Sequence, residues 1–171
     1  MRLSASNFTQ SSMEVLPTEP PRLFFDASVI VAGAASVQGA SRALLVLAEV
    51  GLVHAVVSPF ALAEVERNLR WKLPAALPYF QRIREAGLWE IVADPPQDES
   101  NAWAKIVPLK DAPIIAAAIR AKPHRLITLD AKHLIVPPQV AAQSGLVIVT
   151  PGQVMQEIRQ HIAAGFGRAQ T

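Results

Sequence analysis

The chain has 171 residues, which suits one domain that buries roughly 70% of its unfolded surface. About half of it is apolar (51%), and it has no cysteine, which excludes disulfides, thiolate zinc sites and cysteine nucleophiles. Its 16 lysines and arginines against 14 aspartates and glutamates leave a net charge of +2, too small to indicate a nucleic-acid binder by charge alone.

The apolar runs of the sequence are too short to span a membrane. Val29–Val37 falls well short of the ~20 residues that a bilayer requires, and Glu49 and His54 interrupt the longer stretch Ala43–Val57. The first twenty residues lack the apolar segment of a secretory signal and have the composition of a flexible tail. We therefore expect a cytoplasmic protein without a membrane contact, with a flexible tail over 1–21, a folded domain over 22–163 and a C-terminal tail over 164–171.

Short β-rich runs alternate with longer helical patterns along the chain, which is typical of βαβ units in a parallel sheet. Arg22–Phe25 is predicted as the first strand, and a turn containing glycine and alanine leads from it to a helix over about 40–50. Leu52–Val57 is predicted as the second strand. Ser58 can cap the next helix and Pro59 can occupy its first turn, and this helix should end near Leu73.

The second half of the chain continues the alternation. Pro74 breaks the helical pattern, and a further helix over about 75–86 stops at Gly87. The remaining predicted elements are a strand over Trp89–Val92, helices over Glu99–Ile106 and Ala112–Ala121, strands over Arg125–Leu129 and Leu146–Val149, and a final helix over Pro151–Ala163. Because the strands are apolar on both faces, we predict a three-layer α/β/α sandwich with a central, mainly parallel sheet.

Two of the predicted strands end in an aspartate. Asp26 follows Leu23–Phe25, and Asp130 follows Leu126–Leu129. An isolated aspartate in such a place is as often a turn or cap residue as a functional one. If both strands are parallel, however, the two carboxylates emerge at the same edge of the sheet, where open α/β sheets bind ligands. The pair therefore favours a functional site.

Two further acids are ambiguous from spacing alone. Asp111 stands just before a proline-started apolar helix, which is an ordinary N-cap position, although a cap can also point at a metal ion. For Glu64, spacing alone favours a solvated carboxylate on a helix face, paired with Arg67 or Asn68. If the four acids converged within about 4 Å they would repel by ~4 kcal/mol per pair, and a divalent cation such as Mg²⁺ or Mn²⁺ would reverse the sign.

Four stretches in this order together resemble the PIN-domain family, in particular its bacterial branch of toxin-like ribonucleases of the VapC kind. They read LFFDASV at 23–29, SPFALAEV at 58–65, KDAPIIAAA at 110–118 and LITLDAKHL at 126–134. The closing Val149–Gln153 is also similar, so the resemblance covers about Arg22 to Ile158. Leu129 stands where many members of that family have glycine, which could narrow the pocket but removes no ligand.

The resemblance implies a fold, an activity and a set of residue roles. The fold would be an α/β/α sandwich, and the activity would be Mg²⁺- or Mn²⁺-dependent cleavage of RNA. The implied catalytic, metal-binding carboxylates are Asp26, Glu64, Asp111 and Asp130. Ser28 and Thr128 would orient them or their waters, in line with the general role of groups that hold metal ligands in place. The implied partners are an RNA substrate, an antitoxin protein and a second copy of the chain.

Several other residues have two readings each. His133 could approach the metal or a phosphate, although a solvent-facing histidine on a short helix is favoured. A basic stretch could contact phosphates, or it could form solvated helix faces; its members are Arg67, Arg70, Lys72, Arg82 and Arg84. Trp71, Trp89 and Trp103 could stack on bases, but their apolar surroundings favour core or interface packing.

The leading hypothesis is therefore a metal-dependent endoribonuclease that could be the toxin of a toxin–antitoxin pair. The alternative is a PIN-like module that keeps the fold, binds RNA or a protein and cuts poorly. A third reading, an aspartyl phosphoacceptor domain, also places acids at strand ends, but no pattern of that class follows Asp130.

Overall fold

The computed structural model describes residues 19–168, with side chains described up to residue 164. Most of the predicted N-terminal tail, residues 1–18, lies outside the described residues, as do residues 169–171. In residues 19–168 no single helix is long and apolar enough to cross a membrane. The first two helices reach that length only as a pair bent by 94°.

A sheet of five parallel strands forms the centre of the molecule. The strands are β1 (Arg22–Phe25), β2 (His54–Val57), β3 (Trp89–Ile91), β4 (Arg125–Ile127) and β5 (Ile148–Val149). Their order across the sheet is β3-β2-β1-β4-β5, so the chain builds outward from β1 in one direction and then returns to add β4 on the other side. In parallel sheets such a reversal leaves a crevice at the carboxyl ends of the two strands, where ligands bind.

Helices cover both faces of this sheet, which gives the predicted three-layer α/β/α architecture. The helices are α1 (Ala27–Ala35), α2 (Ala40–Glu49), α3 (Pro59–Lys72), α4 (Leu77–Glu85), α5 (Gln97–Trp103), α6 (Ala112–Ala121), α7 (Pro138–Ser144) and α8 (Pro151–Arg168). A 3₁₀ turn at Pro74–Ala76 and a π-helical turn at Ala131–Ile135 complete the described elements. The strand residues Phe24, Val56 and Leu126 are fully buried, as the apolar strands predict.

Strand β1 and helix α6 begin and end at the predicted residues, and the cap of α3 is also as predicted. The Ser58 hydroxyl accepts a hydrogen bond from the Ala61 N–H (3.3 Å), and Pro59 occupies the first turn of the helix. This cap starts α3 directly at the end of β2. It therefore places the second turn of α3, which carries Glu64, next to the carboxyl edge of the sheet.

The structure differs from the sequence prediction most clearly at α1, where a turn was expected. Its run of valine, isoleucine and glycine has weak helix propensity, but packing against α2 overrides that preference. Gly33 makes this close contact. A Cβ atom at Gly33 would lie 2.6 Å from Leu45 Cδ1 and 3.0 Å from the Ser41 carbonyl oxygen. Helix α7 was also not predicted, and α8 continues to Arg168, beyond its predicted end at Ala163.

Candidate metal centre

A cleft of about 470 Å³ opens at the carboxyl ends of β1 and β4, where the order of the strands reverses. All four acids singled out in the sequence line it, together with Ser28, Asn68, Lys110 and Leu129. Each acid comes from a different part of the fold: Asp26 follows β1, Glu64 lies in α3, Asp111 precedes α6, and Asp130 follows β4. The fold therefore brings together side chains that are far apart in sequence.

Asp26 is buried and is held by two hydroxyl groups. Its Oδ2 atom accepts a hydrogen bond from the Ser28 hydroxyl (2.7 Å) and another from the Thr128 hydroxyl (2.7 Å). No hydrogen bond from the described residues reaches its Oδ1 atom. One carboxylate oxygen is thus fixed by its neighbours, and the other remains available to a ligand in the cleft.

The same two hydroxyl groups extend the network into the loop after β4. The Ser28 hydroxyl accepts a hydrogen bond from the Leu129 N–H (3.1 Å), and the Thr128 hydroxyl accepts one from the Asp130 N–H (3.0 Å). Ser28 and Thr128 therefore join the start of α1 to the chain that carries Asp130. Both hydroxyl groups contact a candidate metal ligand, and their role in orienting it stays a prediction.

Asp111 does not act as the helix cap that its position allows. Its side chain makes no capping hydrogen bond, it is only 5% exposed, and its Oδ2 atom has no hydrogen-bond partner among the described residues. Burial raises the pKa of Asp111, and the negative charges of Asp130 and Asp26 raise it further, against the opposing effect of Lys110. A buried carboxylate oxygen without a donor is the kind of group that a bound cation would satisfy.

Glu64 is half-buried and faces the aspartates. Burial raises its pKa, and the charges of Asp26 and Asp111 contribute to the same shift, which places its carboxylate within their electrostatic reach. The Asn68 side chain donates to the backbone carbonyl of Glu64 (2.9 Å) and not to its carboxylate. Pairing of the Glu64 carboxylate with Asn68 is therefore wrong, whereas the charge of Arg67, the other neighbour that spacing suggested, does act to lower the pKa of Glu64.

Asp130 is held by His133. Its carboxylate accepts a hydrogen bond from the His133 N–H (3.1 Å), and the ring Nδ1 of His133 lies 2.9 Å from Oδ1. Burial acts to raise the pKa of Asp130, but the hydrogen bonds from His133 and Lys110 outweigh it and lower the pKa overall. His133 is partly exposed on a short helical turn, as favoured, but its ring also contacts a candidate ligand. The signal in the sequence was its spacing of three residues from Asp130.

The carboxylates of the cleft, together with the His133 ring, offer donor atoms that fit a hard divalent cation. One atom each from Asp111, Asp130 and His133 lie within 4.8 Å of one another. Most of the available donors are carboxylate oxygens, which Mg²⁺ and Mn²⁺ prefer. The unpartnered Oδ2 atom of Asp111 gives independent support, because it is buried at the wall of the same cleft.

Much of the predicted basic stretch is engaged elsewhere. Arg70 and Arg84 form ion pairs with Glu66 (2.6 and 3.0 Å), and Arg82 pairs with Glu49 (3.1 Å). These exposed ion pairs contribute little stability, but they direct the three guanidinium groups towards Glu66 and Glu49.

The three tryptophans differ in their surroundings. Trp89 is buried and Trp103 is half-buried, as expected, but Trp71 is 83% exposed. Trp71 lies seven residues after Glu64 on α3, so helix geometry puts it on the same face about 10 Å further along the axis. Core packing of Trp71 is therefore wrong, because its ring is exposed, whereas the other expectation, packing in an interface, stays a prediction.

Asp111→Asn is expected to raise the melting temperature of the metal-free protein at neutral pH. The amide removes a buried charge, and a gain of ~1 kcal/mol would exceed the loss of the exposed contact with Lys110. For a chain of this length such a gain corresponds to roughly 2–4 °C. Because the pKa of Asp111 is raised in the folded state, the gain should be full above that pKa and vanish below the ordinary aspartate pKa of about 3.9.

Thermal unfolding in EDTA across this pH range measures the effect. Glu85→Gln is the matched control, since it removes the same charge from an exposed helix position and should change the melting temperature little. A lower melting temperature for Asp111→Asn than for the parent at neutral pH would contradict the conclusion that the buried charge of Asp111 destabilises the fold.

No protein-family model and no curated protein matches the chain in sequence. Solved structures do match in fold. The chain is similar to PAE2754 from Pyrobaculum aerophilum, with a TM-score of 0.56 and 17% identity over 82% of this chain and 90% of that one. It is also similar to FitAcB from Neisseria gonorrhoeae (TM-score 0.53, 16% identity, 75% and 97% covered). A third similar structure is VapBC2 from Rickettsia felis bound to a promoter DNA fragment, with a TM-score of 0.51 and 16% identity over 75% of this chain and 98% of that one. The predicted PIN-like α/β/α fold is thereby confirmed.

Proposed function

We propose that the chain is a metal-dependent endoribonuclease that hydrolyses RNA phosphodiester bonds. The observation that carries this proposal is the convergence of Asp26, Glu64, Asp111 and Asp130 in one cleft, where Asp111 has a buried oxygen without a donor. We assign the four acids as the catalytic, metal-binding carboxylates and Mg²⁺ or Mn²⁺ as the cofactor. Support for RNA as the substrate comes from the four motifs that resemble PIN-domain ribonucleases.

Each residue of the cleft would have a distinct role in such a reaction. A bound divalent cation supplies an activated water and neutralises charge on the scissile phosphate. Asp26 offers Oδ1 because Ser28 and Thr128 hold Oδ2, and this keeps the carboxylate in one orientation. Asp111 and Asp130 would supply further carboxylate oxygens to the same cation. Glu64 adds negative charge from α3, close enough to Asp26 to raise its own pKa.

The purified protein should cleave RNA in the presence of Mg²⁺ or Mn²⁺, because the carboxylates need the cation to act on a phosphate. Chelation with EDTA should abolish cleavage. Asp26→Asn and Asp111→Asn should each lower the rate by about 100-fold or more, since both remove a ligand charge that positions the cation. Gel analysis of end-labelled RNA measures the rate.

The control for this experiment is Glu85→Gln, a substitution at an exposed residue of α4, and this variant should cleave at the parent rate. Cleavage that survives both asparagine substitutions would contradict the assignment. RNA binding without metal-dependent cleavage over a broad set of substrates would instead favour the alternative, a PIN-like binding module that cuts poorly.

Thr128→Val should lower the cleavage rate by about 10- to 100-fold, the usual effect of losing a group that holds a metal ligand. The valine side chain has a similar shape but cannot donate to Asp26 or accept from the Asp130 N–H. Thr128→Ser keeps the hydroxyl and should restore most of the rate. A valine variant that cleaves as fast as the parent would show that this hydroxyl has no part in the reaction.

For the cellular role, we propose that the chain is the toxin of a toxin–antitoxin pair, with an antitoxin protein as its partner. Support comes from the motifs of the toxin-like branch and from the fold shared with VapBC2, which was solved with DNA from its promoter. Induced expression of the parent chain should arrest growth of a bacterial host, and Asp26→Asn should not. Normal growth of cells whose extracts contain the active ribonuclease would contradict this role. A second copy of the chain as partner, and a cytoplasmic location, stay predictions.

A further inference from the structure

Lys110 occupies a position between two of the candidate metal ligands. Its Nζ atom lies 3.4 Å from Oδ1 of Asp111 and 3.4 Å from Oδ2 of Asp130. The sequence drew no attention to this lysine beyond its place next to Asp111. In the folded protein its ammonium is the positive charge that the two carboxylates share, and its side chain lines the same cleft.

A divalent cation on Asp111 and Asp130 would have to share these oxygens with the ammonium. Both positive charges would then lie within a few ångströms of each other, so their repulsion opposes simultaneous binding. The lysine side chain can move away from the two carboxylates, because it is 61% exposed and its four-carbon stem is flexible. The backbone that carries the aspartates has no such freedom, since Asp111 leads into the buried helix α6.

We propose that Lys110 is an internal counter-ion that competes with the metal ion for Asp111 and Asp130 and leaves them when the metal binds. This inference rests on the metal site of the proposed function. In the metal-free protein the ammonium partly neutralises the acidic cleft, and with the metal bound it lies free at the rim. Lys110 thus weakens metal binding, but its ammonium offsets the repulsion between the acids when no metal is bound.

The competition predicts that loss of the lysine charge tightens metal binding. Lys110→Met should bind Mn²⁺ about three- to tenfold more tightly than the parent, the size expected from removing two solvent-exposed ion-pair contacts. Lys110→Arg keeps the charge and should stay within about twofold of the parent. Lys105→Met is the matched control, because it removes the same charge from an exposed position that does not line the cleft.

Binding is measured on the full chain by electron paramagnetic resonance of free Mn²⁺, without RNA. Thermal unfolding gives a second readout: Mn²⁺ should raise the melting temperature of Lys110→Met by more than that of the parent. Lys110→Gln serves the same purpose if the methionine variant does not fold. Equal or weaker Mn²⁺ binding by the folded, uncharged variants would overturn the inference, and weaker binding would make Lys110 a residue that positions the aspartates.

The same experiment separates this inference from the proposed function. If no variant binds Mn²⁺, the metal site itself is wrong and the inference falls with it. If the parent binds Mn²⁺ but Lys110→Met gains nothing, only the competition is wrong. If Lys110→Met gains affinity while no protein cleaves RNA, the competition stands and the ribonuclease proposal fails.

Discussion

The hydrogen bond from the Thr128 hydroxyl to Oδ2 of Asp26 is the contact on which the site depends. It joins the ends of β1 and β4, the two strands between which the order of the sheet reverses. Thr128 is fully buried, so its hydroxyl has no competing water and the contact is strong. Through the Asp130 N–H it also sets the start of the turn that carries the fourth acid. One threonine thereby couples the register of the sheet to the spacing of the carboxylates.

The arrangement of the acids in the cleft destabilises the folded protein. Asp111 and Glu64 both have raised pKa values because burial and neighbouring acids disfavour their charged forms. A protein selected only for stability would replace such groups with neutral ones. Hydrogen bonds stabilise the charged carboxylates of Asp26 and Asp130, whereas among the described residues the one polar partner of the Asp111 carboxylate is the ammonium of Lys110. The free-energy cost of burying negative charge in the cleft is therefore greatest at Asp111.

Sequence reasoning could predict those parts of the site that depend on one element at a time. The strand ends at Asp26 and Asp130 follow from apolar runs that stop at an acid, and parallel order puts them on one edge. The convergence of Glu64 and Asp111 depends on how α3 and α6 pack, which no local pattern encodes, so only the family resemblance suggested it. The helix after Asp26 was missed for the same reason, since its contact with α2 through Gly33 outweighs its weak propensity. Lys110 contacts Asp130, which is distant in sequence, and His133 contacts the same acid from three residues away. The periodicity of the sequence does not distinguish either residue from an ordinary surface residue.

The central place of β1 has a further consequence for how the protein is made. Asp26 and Glu64 are synthesised before β4, the strand that completes their cleft, which is separated from β1 by about a hundred residues. Domains fold as units once their elements are available, and long-range strand pairing is slow. Until β4 has been synthesised, a nascent chain therefore carries these two acids without the strand that completes their cleft. The four acids can line one cleft only after β4 and the turn that carries Asp130 have been synthesised.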